Sequence, residues 1–125
     1  MLFDTDVIIW ALRGNRHASD TIYKADNPCV SVVSYMELLM GARDKKDSQT
    51  IRAFLASLGF RTLPLTENIG HRAAIYLEEY ALMCRIGVQD SLIAATAVEN
   101  EIPLCSGNAK HFKPINDINL KLFRP

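Results

Sequence analysis

Three cysteines in 125 residues, widely spaced as Cys29, Cys84 and Cys105 and never as Cys-x-x-Cys, argue against a disulfide framework and a zinc knuckle. No apolar run approaches the roughly 20 residues that cross a bilayer. The apolar stretch Met1 to Leu12 carries Asp4 and Asp6 and no basic leader, so it reads poorly as a secretion signal. An excess of one charge is also missing, because 14 Lys and Arg cancel 14 Asp and Glu. That balance excludes a wholly basic nucleic-acid binder and an acidic disordered tail, so any grip on a polyanion has to come from local placement. There is no Gly/Ser linker, repeat or low-complexity tract. The expectation is a single reduced, cytoplasmic domain over residues 1–125, without a membrane anchor and large enough to bury a core without staples.

What is present is patterned as alternating strands and helices. Met1 to Phe3 is a short apolar run stopped by Asp4, and Val7, Ile8, Trp10, Ala11 and Leu12 form a helical stripe ended by Gly14. A helix over His17 to Ala25 precedes the Asn27-Pro28 turn, and Cys29 to Val33 reads as a buried strand. Ser34 suits the cap of a helix reaching Gly41, with Glu37 at the N3 place of a capping box. Asp47 or Ser48 opens a helix carrying Ile51, Phe54, Leu55 and Leu58, with Gly59 as its stop. Arg61 to Leu65 follows as a short strand. Thr66 or Asn68 opens a long helix that ends near Gly87, and Ser91 to Val98 is apolar nearly all round, as in a buried helix. Pro103 to Cys105 and Ile118 to Phe123 supply the last strands. The fold class is α/β: three layers, with a central, mainly parallel sheet of four to five strands flanked by helices. Such sheets bind ligands beyond the carboxyl ends of their strands, at the switch in strand order, which is where Asp4 belongs.

Most of the acids lie among polar residues, but Asp4 ends an apolar strand, Glu37 sits in Tyr-Met-Glu-Leu-Leu-Met-Gly, and Asp90 opens an apolar helix. A buried carboxylate is costly unless it meets a cation or a metal. Glu37 shares a helix face with Ser34 and Gly41, and Asp90 with Ala94 and Ala97, so small neighbours leave room in front of each acid. Room and converging oxygen ligands suit hydrated Mg²⁺ or Mn²⁺. Each acid also has a plainer reading. Asp4, Thr5 or Asp6 suits the cap of the following helix, Glu37 the capping box, and Asp90 an ordinary N-cap.

Four segments carry a resemblance over nearly the whole chain. They are Leu2-Phe3-Asp4-Thr5-Asp6-Val7-Ile8-Ile9-Trp10, Ser34-Tyr35-Met36-Glu37-Leu38-Leu39-Met40-Gly41-Ala42, Gln89-Asp90-Ser91-Leu92-Ile93-Ala94-Ala95-Thr96-Ala97 and Cys105-Ser106-Gly107-Asn108-Ala109-Lys110-His111-Phe112. In order and spacing the chain resembles PIN-domain ribonucleases, specifically the VapC type of toxin–antitoxin nuclease. The resemblance implies that Asp4, Glu37 and Asp90 carry catalysis and hold Mg²⁺, with Mn²⁺ as the alternative, and that Asp6 stands near the metal. It implies substrate-orienting or supporting roles for Thr5, Ser106 and Asn108. At His111 many members carry a fourth acid; here the side chain is read as facing solvent, with RNA contact as the other reading.

The implied reaction is hydrolysis of RNA phosphodiester bonds, leaving 3′-hydroxyl and 5′-phosphate ends. Arg13, Arg43, Arg85 and Lys110, with Lys45 and Lys46, are candidates for gripping RNA. The implied partners are a cognate antitoxin and a second copy of the chain, as a homodimer or within a hetero-oligomer. Trp10, Tyr35, Leu38, Leu39 and Met40 are candidate apolar contacts for the antitoxin. Two other readings stand beside this one. Asp4-Thr5-Asp6 also matches the start of a haloacid-dehalogenase-like phosphatase, and a PIN-like domain can bind a partner without cutting anything.

Overall fold

A computed structural model describes the chain from residue 1 to residue 125. The strands β1 (Leu2–Phe3), β2 (Cys29–Ser31), β3 (Arg61–Leu63), β4 (Leu104–Ser106) and β5 (Leu120–Leu122) form one sheet. Its order is β3-β2-β1-β4-β5, and every neighbouring pair is parallel. The helices are α1 (Thr5–Leu12), α2 (Arg16–Lys24), α3 (Val32–Met40), α4 (Lys45–Ser57), α5 (Glu67–Cys84), α6 (Val88–Glu99) and α7 (Ala109–Phe112). The chain steps outward from β1 to β2 and β3, then returns to lay β4 on the other side of β1. The carboxyl ends of β1 and β4 therefore flank the switch point, where a doubly wound sheet leaves a crevice.

Successive strand residues face opposite sides of a sheet, and the core divides accordingly. Leu2, Cys29 and Leu104 pack with Ile69, Ala73, Tyr76, Ile93 and Ala97 of α5 and α6. Phe3, Val30 and Cys105 pack with Val7, Ile8, Ile22, Ile51 and Leu55 of α1, α2 and α4. The three layers expected from the sequence are present. Arg72 of α5 donates to Glu99 of α6 and to Asp117, which also accepts from the Tyr76 hydroxyl, so the long helix is tied to its neighbour and to the approach to β5.

Local chemistry moves several boundaries. The strand expected over Cys29 to Val33 stops at Ser31, whose hydroxyl accepts from the Val33 N–H at 3.1 Å and caps α3. Ser34, expected as the cap, lies inside the helix, fully buried, with its hydroxyl unpartnered. Glu37 is therefore in the body of α3 and belongs to no capping box. Asp44 caps α4 by accepting from the Asp47 N–H at 2.7 Å, so that helix starts at Lys45, ahead of Asp47 and Ser48. α5 follows Thr66, one of its two expected caps, and ends at Cys84, near the expected Gly87, with Arg85 as its C-cap at a left-handed φ of 57°. Gly87 is not the stop of α5; it is the N-cap position of α6, which begins at Val88. The single turn α7 has no counterpart among the expected elements.

The two serines should respond in opposite ways to truncation. Ser31→Ala should destabilise by about 1 kcal/mol, the ordinary worth of a cap. Ser34→Ala removes a buried hydroxyl that bonds nothing and should raise stability by about 1 kcal/mol. Urea unfolding of both variants measures the contrast, and equal losses would return the capping role to Ser34.

Candidate active site

Asp4 leaves the sheet at the end of β1 with only 5% of its surface exposed. Its Oδ1 accepts from the Thr5 N–H at 2.8 Å, which makes it the cap of α1, while Oδ2 accepts from the Ser106 hydroxyl of β4 at 2.7 Å. The capping and buried-site readings of Asp4 are both true. Asp6, one residue into α1, accepts from the Val7 N–H at 2.7 Å and from the Gly107 N–H at 2.9 Å. Glu37 comes from α3, and its Oε1 accepts from the Thr5 hydroxyl at 2.9 Å. Asp90 stands in the first turn of α6 but does not cap it, since the N-cap position is Gly87. Its Oδ2 lies 2.7 Å from His111 Nδ1 instead.

These side chains converge on one open cavity of about 440 Å³, lined by Asp4, Thr5, Asp6, Ile9, Glu37, Asp90, Gly107 and Asn108. Burial, then the charge of Asp6 and more weakly that of Asp90, push the Asp4 carboxyl up to about 7, against the pull of its Ser106 and Thr5 hydrogen bonds. Asp6 is raised as well, chiefly by burial and further by Asp90, while the Gly107 and Val7 N–H groups oppose the shift. Burial and the charges of Asp6 and Asp4 push the Cys105 thiol up to about 11, so it stays protonated beside the acids. Arg43 pairs with Asp47, and Arg72 with Glu99 and Asp117, and no Lys or Arg pairs with Asp4, Asp6 or Glu37. The donors are all oxygen, the ligand type of hard divalent cations. No three are set tightly enough to form a closed cage, an arrangement that suits an ion keeping much of its own water.

Ser106 and Asn108 fall where the sequence placed them. Ser106 is buried beneath Asp4, and the Asn108 N–H donates to its Oγ at 3.0 Å. His111 departs from the expected solvent-facing role: its ring is half-buried and is held by Asp90 and Asn108. Arg13, Arg43, Arg85 and Lys110 are exposed and outside the cavity lining, and Arg43 also pairs with Asp47. Of the apolar candidates, Trp10 and Met40 are exposed, Tyr35 and Leu39 are half-buried, and Leu38 is core. Gly107, which no motif or spacing singles out, holds Asp6 through its N–H. A Cβ there would lie 2.9 Å from Asp6 Oδ2 and 3.2 Å from the Phe123 carbonyl oxygen. The only sequence signal for it is a glycine between two polar residues just past a strand.

The raised Asp4 sets a sign for pH dependence. Folding lifts this carboxyl from 3.8 to about 7, so between those values the folded chain binds more protons than the unfolded one. Stability must then fall as pH rises through that window. In metal-free protein the Tm contribution of this group should be lost from about pH 4 to about pH 7. Asp4→Asn should flatten that slope and be at least as stable as the parent above it. Thermal melts in chelator across the range check this, and a large loss of stability in Asp4→Asn would remove repulsion as the cause.

The PIN domain family matches residues 1–115. Ribonuclease VapC10 of Mycobacterium tuberculosis is 41% identical over 116 residues, covering 90% of this chain and 85% of that protein. Ribonuclease VapC of Rickettsia bellii is 31% identical over 127 residues, covering 96% and 93%. Among solved structures, a toxin-antitoxin complex from Klebsiella pneumoniae superposes with a TM-score of 0.79 at 26% identity, over 94% of this chain and 93% of its counterpart. The resemblance of the four segments is thus matched along almost the full length, and the chain belongs to the PIN-domain family, in its VapC branch.

Proposed function

We propose that this protein is a metal-dependent endoribonuclease acting as the toxin of a toxin–antitoxin pair. The observation that carries the reading is the convergence of Asp4, Asp6, Glu37 and Asp90 on one open cavity at the switch point of the sheet. Family membership supports it, since relatives at 41% and 31% identity are ribonucleases by name. Asp4, Glu37 and Asp90, with Asp6 beside them, would hold Mg²⁺, or Mn²⁺ in its place. A bound ion of this kind acidifies water and polarises a phosphate.

The chain's own groups supply the rest. Ser106 and Thr5 fix one oxygen each of Asp4 and Glu37. Both oxygens of Asp6 already accept backbone N–H groups, whereas Asp90 has only Oδ2 engaged. Asp90 is therefore the better placed of the two to orient an attacking water beside the cation it faces, with the water's proton passing to solvent. The water oxygen attacks phosphorus, the bond from phosphorus to the 3′ oxygen breaks, and that oxygen takes a proton from solvent. The products are a 3′-hydroxyl and a 5′-phosphate, with no covalent enzyme intermediate. Lys110 follows two residues after Asn108 of the cavity and is exposed, so it is the first of the basic candidates to meet RNA.

An antitoxin would silence the site by laying an Arg or Lys among the same carboxylates, with exposed Trp10 and Met40 as apolar contacts. The matching Klebsiella pneumoniae structure is itself a toxin-antitoxin complex. A homodimer, or a hetero-oligomer with the antitoxin, would set two such cavities on one surface.

Labelled total tRNA incubated with antitoxin-free protein tests the reading. Discrete cuts should appear with Mg²⁺ or Mn²⁺, disappear with EDTA, and fall at least about 100-fold in Asp4→Asn and Asp90→Asn. Intact tRNA and intact ribosomal RNA would point to a PIN-like domain that only binds a partner. Phosphate release from a small phosphomonoester would return the Asp4-Thr5-Asp6 motif to a phosphatase.

A further inference from the structure

A continuous run of hydrogen bonds skirts the cavity from Asp4 to Asp90. Ser106 Oγ donates to Asp4 Oδ2 at 2.7 Å, and the Asn108 N–H donates to Ser106 Oγ at 3.0 Å. The Asn108 amide lies 2.9 Å from His111 Nδ1, which lies 2.7 Å from Asp90 Oδ2. An imidazole Nδ1 carries either one hydrogen or one lone pair, and a carboxylate only accepts. The hydrogen must therefore sit on Nδ1 and point at Asp90. The Asn108 Nδ2 stands 2.9 Å from the ring, so a half-turn that interchanges the two ends of the amide brings its carbonyl oxygen there, where it shares the one Nδ1 hydrogen with Asp90.

The ring is not held by chance. Phe112, the next residue, is fully buried among α5 and α6 residues, and the His111 carbonyl accepts from Cys84 Sγ at 3.7 Å. The imidazole itself is 28% exposed. α7 is thus a bracket, anchored by Phe112, that presents one N–H to one oxygen of Asp90.

We propose that His111 is a positioning residue whose Nδ1–H fixes Asp90, so that Asp90 offers Oδ1 as an oriented ligand to a divalent cation. This rests on the metal-site reading of the cavity given above. Outer partners that orient a metal ligand typically contribute 10- to 100-fold in metal affinity, on the order of what is expected here.

The atoms involved dictate the test. Asparagine can place an N–H where Nδ1 stands, glutamine places one where Nε2 stands, and alanine places none. Full-length protein is titrated with Mn²⁺ alone, and free Mn²⁺ is read by electron paramagnetic resonance. His111→Asn should bind within about 3-fold of the parent, whereas His111→Gln and His111→Ala should bind about 10-fold more weakly or worse. In metal-free parent protein, ¹⁵N spectra of the imidazole should show the hydrogen on Nδ1, and Asp90→Asn should perturb that signal. Equal Mn²⁺ affinity in all variants overturns the proposal, as does rescue by Gln and not Asn. A hydrogen found on Nε2 with Nδ1 bare also overturns it, independently of any cation. A parent protein that binds no Mn²⁺ at all removes the metal-site reading, and the proposal with it, while the ¹⁵N spectra still report the His111–Asp90 bond. Should the Ala variant fail to melt cooperatively, the Asn and Gln pair decides.

Discussion

Repulsion between carboxylates that share one small cavity sets the terms on which the rest of the chain is built. A surface could relieve such crowding by letting the side chains swing apart into water. Here Asp4 is denied that escape by burial, and Asp6 by two backbone N–H groups. Glu37 and Asp90 are each caught by one donor, Thr5 in one case and His111 in the other. Every acid therefore meets its neighbours in a fixed posture. The donors come from α1, β4, the residue just past β4 and α7, so the elements at the switch point hold the charges together against their own tendency to separate.

The same constraint explains why a chain with no net charge can present a strongly acidic mouth. Its 14 basic residues are not drawn in to neutralise the cavity. Arg72 is occupied with Glu99 and Asp117 on another part of the molecule, and Arg43 with Asp47. The neutrality that excludes bulk attraction to nucleic acid thus conceals a segregation of charge, and segregation of this kind leaves a cation as the natural complement of the site.

The layers and the three central strands were legible because short parallel strands buried on both faces, as β1, β2 and β4 are, appear as runs that two or three residues suffice to mark. The acids were legible because each broke such a run. Caps were less so. Ser31 and Ser34 both precede an apolar helix, and the choice between them is made by the pairing of Ser31 with Leu63 across β2 and β3, which ends the strand where the helix must begin. His111 was misjudged for a related reason. A single turn has no periodicity to read, and its partner Asp90 lies 21 residues away on a helix whose packing against α7 no local pattern encodes. Gly107 has no left-handed backbone to announce it; its role is the bare steric room that Asp6 and the Phe123 carbonyl require.

The bonds that shape Asp4 and Asp6 reach across 102 and 101 residues of chain. A ribosome adds residues at about 5–20 per second, so β1 and α1 emerge seconds before their donors in β4 and its turn exist. Through that interval the two acids can sit apart in water, and their mutual repulsion has no cost to impose on the growing chain. A stalled or truncated product that stops short of β4 carries all four cavity acids, yet lacks the hydroxyl and amide that seat Asp4 and Asp6. Any activity built on this cavity consequently arises late in biogenesis, with β4 in place, and fragments of the protein are disarmed by topology alone.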